Sequence, residues 1–219
     1  MTTVAVRGES VREVEPELAQ FTVVSTARDK DRATTLTRLR ERADALRQLL
    51  ERPEFAGAIE RRETGGLHVY PEGGKRGERV SAYNGSVSTT VVVTDFAALG
   101  EMMLAAAAQD QTRVNGPAWS LRPDSPVHAE SRRAAVADAI ARAREYAAAL
   151  GAEVVELVEL ADPGLSGRVE AVATYQAYGA PRGKSFGSGG GPELELDPQL
   201  QRVYAAVEAR FTITSPTAL

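Results

Sequence analysis

Apolar residues recur along this chain at two periods, near two over several short stretches and near 3.6 over a few long ones, and their alternation sets the expected elements. Residues 4–11 and 18–27 read as strands joined through Glu15-Pro16-Glu17. In the second strand Leu18, Gln20, Thr22 and Val24 share one face and Ala19, Phe21 and Val23 the other, which predicts partial burial on both. Asp29 is the expected N-cap of a helix that runs to about residue 50, before Pro53. Leu36, Leu39, Ala43, Leu46 and Leu50 draw one apolar stripe along it.

Strands are expected over 59–70 and 79–94, joined by a flexible hairpin loop at 71–77 whose glycines and charges supply no core. Asn84-Gly85 is a competing turn signal. It yields to the longer loop because 87–93 is strongly strand-forming and needs a long partner. Asp95 then caps a helix to about residue 108, and 113–121 supplies another strand. From 18 to 121 the order is strand, helix, strand, strand, helix, strand. That is the split βαβ (βαββαβ) unit of an α+β fold, with two helices on one face of an antiparallel or mixed sheet.

Ser125-Pro126 offers an N-cap and a proline allowed at the first helical position, and Gly151 suits the C-cap. Between them lies a long alanine-rich helix of about 22 residues, roughly 33 Å. Ala129, Arg132, Val136, Ile140, Ala143, Ala147 and Leu150 draw its expected stripe. Packing against the core is its expected role, and an intersubunit surface is the alternative. Strands at 154–160 and 168–178, a glycine-rich segment at 179–192 and a last strand at 201–214 complete the chain. In the last strand Val203, Ala205, Val207, Ala209 and Phe211 fall on one side.

Composition narrows the function classes. The 219 residues suffice for a single domain, 1–219, with lobes 1–124 and 125–219 as the other division. Net charge is −4, which argues against general nucleic-acid binding. The absence of cysteine rules out thiolate catalysis and cysteine-held zinc or iron–sulfur sites. The most apolar tract, 97–108, is too short to span a bilayer and is interrupted by Glu101. Met1-Thr-Thr-Val-Ala-Val carries no basic n-region with an apolar core, so a cytoplasmic location is the default, or the envelope or exterior if an export signal was trimmed.

Candidate chemistry is sparse. Gly183-Lys184-Ser185 invites a phosphate-loop reading, but Gly179 stands one residue too close and no helix follows. His68 and His128 lack a second ligand at helical spacing. Alternation places Glu153 and Glu159 on one strand face and Glu156 on the other, which pairs no carboxylates for acid–base work. The arginines of the first helix (Arg38, Arg40, Arg42, Arg47) read as a solvated face, with an anion-binding surface as the alternative. Trp119, Tyr175, Tyr178 and Phe186 read as core or sheet-face aromatics, or as the lining of a groove. No catalytic, cofactor-binding or metal-binding residue is assigned.

The pattern over nearly the whole chain resembles the SIMPL domain family. The likeness is carried by Val6-Arg-Gly8-Glu-Ser-Val11, Pro16-Glu-Leu-Ala19, Tyr83, Val91-Val-Val-Thr-Asp95-Phe96, Val114-Asn-Gly116-Pro117 with Trp119, and above all the run from Ala134 to Gly151. The resemblance implies an α+β domain, envelope or secreted relatives, oligomers in some members and no catalytic residue to carry over. The expectation is therefore a non-enzymatic, self-associating scaffold or interaction protein: a homo-oligomer, with a protein partner left open, no nucleic acid and no membrane span. The alternative is a small-ligand-binding or hydrolytic protein with its site at loops 71–79 and 179–192.

Overall fold

The computed structural model describes residues 2–73, 80–165 and 194–218. They form two compact units. One comprises 15–73, 80–122 and 194–199; the other comprises 2–14, 123–165 and 200–218. The chain opens with β1 (Thr2–Val14) of the second unit and then builds the first.

The first unit runs β2 (Leu18–Asp29), α1 (Arg32–Leu50), a short α2 (Pro53–Ala56), β3 (Ile59–Gly73), β4 (Val80–Val93), α3 (Leu99–Ala107) and β5 (Thr112–Ser120). Its sheet order is β3-β4-β2-β5, antiparallel throughout, so the expected βαββαβ unit and α+β class hold. Ala19, Phe21 and Val23 of β2 and Val91 and Val93 of β4 pack against Leu46, Leu49 and Leu50 of α1 and Leu99 and Met102 of α3. That face is fully buried, whereas Thr22 and Val24 on the other are half-buried.

Several local expectations shift. Asp29 stays in β2, and the cap is Asp31, whose carboxylate accepts the Thr34 N–H at 2.7 Å. Asp29 instead accepts the Asp31 N–H at 3.0 Å and pairs with Arg38. Leu36 is exposed and Thr35 is buried in its stead, because the helix faces Gly85 of β4, where Thr35 and Leu39 fill the space a side chain would take. Pro53 does stop α1, but by starting α2 as a helical first residue. Residues 71–73 continue β3 rather than opening a loop, while Asn84 and Gly85 pair with Tyr70 and Val69 inside the long hairpin.

The second unit adds α4 (Pro126–Ala149), β6 (Val154–Ala161) and β7 (Gln201–Ile213) to β1. Its sheet order is β1-β7-β6, again antiparallel. Ser125 caps α4 through the Val127 N–H, and Gly151 follows the helix with φ of +63°. The buried stripe of α4 is Ser131, Ala135, Ala139, Ala143 and Ala147, one residue every fourth. The expected stripe shared only Ala143 and Ala147 with it, and Arg132 is exposed. The reason is Gly8 of β1, which leaves the helix backbone at Ala135 and Ala139 resting directly on the strand. Only alanine-sized side chains fit that seam, so the larger Val136 and Ile140 pack from the flank. On β7, Val203, Val207, Ala209 and Phe211 are buried as the alternation required.

Candidate interaction surface

The second unit carries a concentration of exposed apolar side chains on one strand. Along β6, Val155, Leu157, Val158 and Leu160 are 60, 53, 53 and 48% exposed. Two irregularities in the pairing with β7 account for Val155 and Val158. Val154 lies opposite Ile213 and Glu156 opposite Thr212; Leu157 lies opposite Phe211 and Glu159 opposite Arg210. Val155 and Val158 are therefore extra residues with no partner across the ladder, the signature of bulges, which bend a strand and re-aim its side chains.

The bulges also correct the expected alternation of glutamates. Thr212 and Arg210 share a face of β7, so Glu156 and Glu159 share a face of β6, and Leu157 and Leu160 take the opposite one. That second face is the side of α4, yet α4 lies over β1 and β7 and barely touches β6. Leu157 and Leu160 thus emerge where the helix layer ends. Among the described residues β6 is an edge strand with no neighbour on its outer side. Glu159 lies 3.7 Å from Arg210, while Glu156 has no ion pair among the described residues.

A shallow hollow of about 400 Å³ lies on α4, lined by Ala129, Arg132, Arg133 and Val136. Its floor is apolar, and its two arginines make no ion pair among the described residues. By contrast, a cleft of about 370 Å³ beside Leu50, Ala56 and Ile59 is rimmed by charges already paired. Arg62 meets Glu51 at 3.0 Å, Arg61 meets Glu63 at 2.7 Å, and the Arg122 guanidinium forks onto Glu60. The Arg122 hydrogen bond holds the Glu60 carboxyl below its ordinary range. At Glu72, the Arg28 hydrogen bond, then one from Asn84, has the same effect.

The other sequence candidates are dispersed. Arg38, Arg40, Arg42 and Arg47 lie beside Asp29, Asp44, Asp110 and Asp44 respectively, which largely neutralises the arginine face of α1. His68 is exposed on β3 and His128 sits in the first turn of α4, in the other unit. No group of three metal-ligating side chains occurs among the described residues. Trp119 packs edge-on against Phe96, centroids 4.9 Å apart, beside the core of its unit, as a core aromatic does. Residues 71–73 of the proposed ligand loops are paired strand. Residues 74–79, the strand expected at 168–178, Tyr175, Tyr178, Gly179, Gly183-Lys184-Ser185, Phe186 and the rest of 179–192 lie outside the described residues. No helix among the described residues is long and apolar enough to cross a membrane.

The β6 surface escaped sequence reasoning because Val-Val-Glu-Leu-Val-Glu-Leu looks like a half-buried strand. Nothing in that run marks a bulge: Glu156 and Glu159, three apart, fall on opposite faces of a regular strand and share one here because the register shifts between Leu157 and Glu159. Comparison with known proteins adds one finding. The family model SIMPL, described as a protein of unknown function (DUF541), matches residues 4–211, nearly the whole chain. No curated protein matches it.

Proposed function

The chain belongs to the SIMPL family, whose description assigns no activity, and from that premise we propose that it is a non-enzymatic, self-associating scaffold or interaction protein. In this reading residues 1–219 act as one SIMPL-like domain. The observation that carries the reading is β6: four large apolar side chains, each about half exposed, on one eight-residue edge strand. Scattered apolar residues on a surface need no explanation, whereas a contiguous cluster is what protein interfaces use. Among the described residues the outer edge of β6 has no neighbouring strand, which adds backbone groups to the same surface.

Light scattering on the full-length protein, eluted from a sizing column across a dilution series, tests it. The expected result is a defined mass that is a multiple of 23.4 kDa and falls on dilution. A 23.4 kDa monomer at every concentration overturns the self-associating reading.

A further inference from the structure

We propose that the first unit carries a peptide-binding notch on α3 at Gly100, filled by the chain's own Leu194–Gln199 as a latch. The latch gives way to an extended peptide of the same kind, one with a leucine two residues beyond the point seated at Gly100. This site lies on the other unit from β6 and stands whether or not the chain self-associates.

The notch is made by what α3 lacks. Gly100 is buried at the start of the helix, and its neighbours Leu99, Met102 and Met103 belong to the core of the unit. A Cβ at residue 100 would meet the Leu194 carbonyl, so the backbone of residue 194 occupies the space of a side chain. Glycine permits so close an approach of two backbones, and inside a helix it does so at a cost in helix-forming tendency. Two residues on, Leu196 is half-buried and packs against the same core cluster as Phe96 and Trp119.

The occupant is held as a ligand is held. Residues 194–199 belong to no helix or strand, and all of them except Leu196 are exposed. They group with the first unit, although β6 and β7, the described elements on either side in sequence, belong to the second. A segment with so few buried apolar contacts opens locally at low cost. Covalent attachment keeps it in place, because a tethered segment works at an effective concentration on the order of millimolar. A free peptide has no such help, so the latch occludes the notch until a competitor is abundant or tight. Glu195 and Asp197 are exposed, so the notch reads backbone and leucine rather than charge.

The rate at which a Glu-specific protease cuts the full chain after Glu195, followed by mass, tests this. Cleavage needs the segment to open, so its rate follows the open population. Gly100→Ala favours the helix but evicts Leu194, and should speed this cut by about fivefold or more. Circular dichroism checks that the variant is folded. Free peptide of residues Leu194–Gln199, made uncleavable by Glu195→Gln and added to the wild type at millimolar concentration, should speed the cut by about twofold or more. The same peptide with Leu196→Ser should leave the rate unchanged. A folded Gly100→Ala protein cut at the wild-type rate overturns the notch. A wild type whose cut is indifferent to the peptide, or equally sensitive to its Leu196→Ser form, overturns the exchange, and that measurement needs no variant of the protein.

Discussion

Replacing Gly8 by alanine perturbs the seam on which the second unit is built. A Cβ at residue 8 meets the Ala135 carbonyl oxygen, and lies 2.6 Å from the Ala139 nitrogen and 2.7 Å from the Ala139 Cβ. Ordinary carbon contacts are about 3.5–4.0 Å, so α4 has to withdraw by about 1 Å. Two of the three obstructing atoms are helix backbone, which cannot rotate away. Overpacking of this kind costs about 1–3 kcal/mol, and backbone obstruction places Gly8→Ala at the upper end. Alanine in a strand interior recovers about 0.5–1 kcal/mol relative to glycine. The net expectation is a loss of about 2 kcal/mol in urea unfolding followed by circular dichroism. Adding Ala139→Gly to Gly8→Ala should restore only part of it, because the backbone contacts remain. Gly57→Ala is the control, with nothing within 4 Å of its added Cβ, and should stay within about 0.5 kcal/mol of wild type. A Gly8→Ala protein as stable as wild type would refute the claim that α4 rests on β1 at this residue.

Further outcomes follow from the same geometry. Asp31→Ala removes the carboxylate that caps α1 through Thr34 and should lower the urea midpoint, whereas Asp31→Asn keeps an acceptor at the cap and should hold most of it. Ser131 is fully buried on α4 with its hydroxyl oxygen unpartnered among the described residues, so Ser131→Ala should be stabilising by about 1 kcal/mol. Glu60 and Glu72 titrate below the ordinary carboxylate range because of Arg122 and Arg28, so their contribution is present above the unfolded value and lost as pH falls through the lowered folded one. The urea midpoint should therefore drop on acidification below about pH 4, and less steeply in Glu60→Gln or Glu72→Gln.

How much of this was legible in the sequence differs by element. The βαββαβ order was readable because Phe21, Val23, Val91 and Val93 alternate while Leu39, Leu46 and Leu50 step by helical turns, and all of them enter the core. The cap of α1 was missed by two residues because Asp29 and Asp31 are equally good acceptors; pairing of Asp29 with Tyr83 across the sheet decided between them. The face of α4 was misread because hydrophobicity favours Val136 and Ile140, whereas the determining quantity is size. Gly8, more than a hundred residues away in sequence, demands alanine at 135 and 139. The interaction surface was least legible, since bulges at Val155 and Val158 come from the register with β7 and leave no mark in the composition of β6.

The chain lacks cysteine, so one introduced thiol reports on one place. The most direct measurement is the rate at which a polar thiol reagent labels Val158→Cys, followed against protein concentration, with Val11→Cys on β1 as the exposed reference. Labelling at position 158 should slow as the mass rises by light scattering while the reference rate holds, because assembly covers β6. Equal labelling at position 158 in dilute and assembled protein would contradict the burial of β6 between copies.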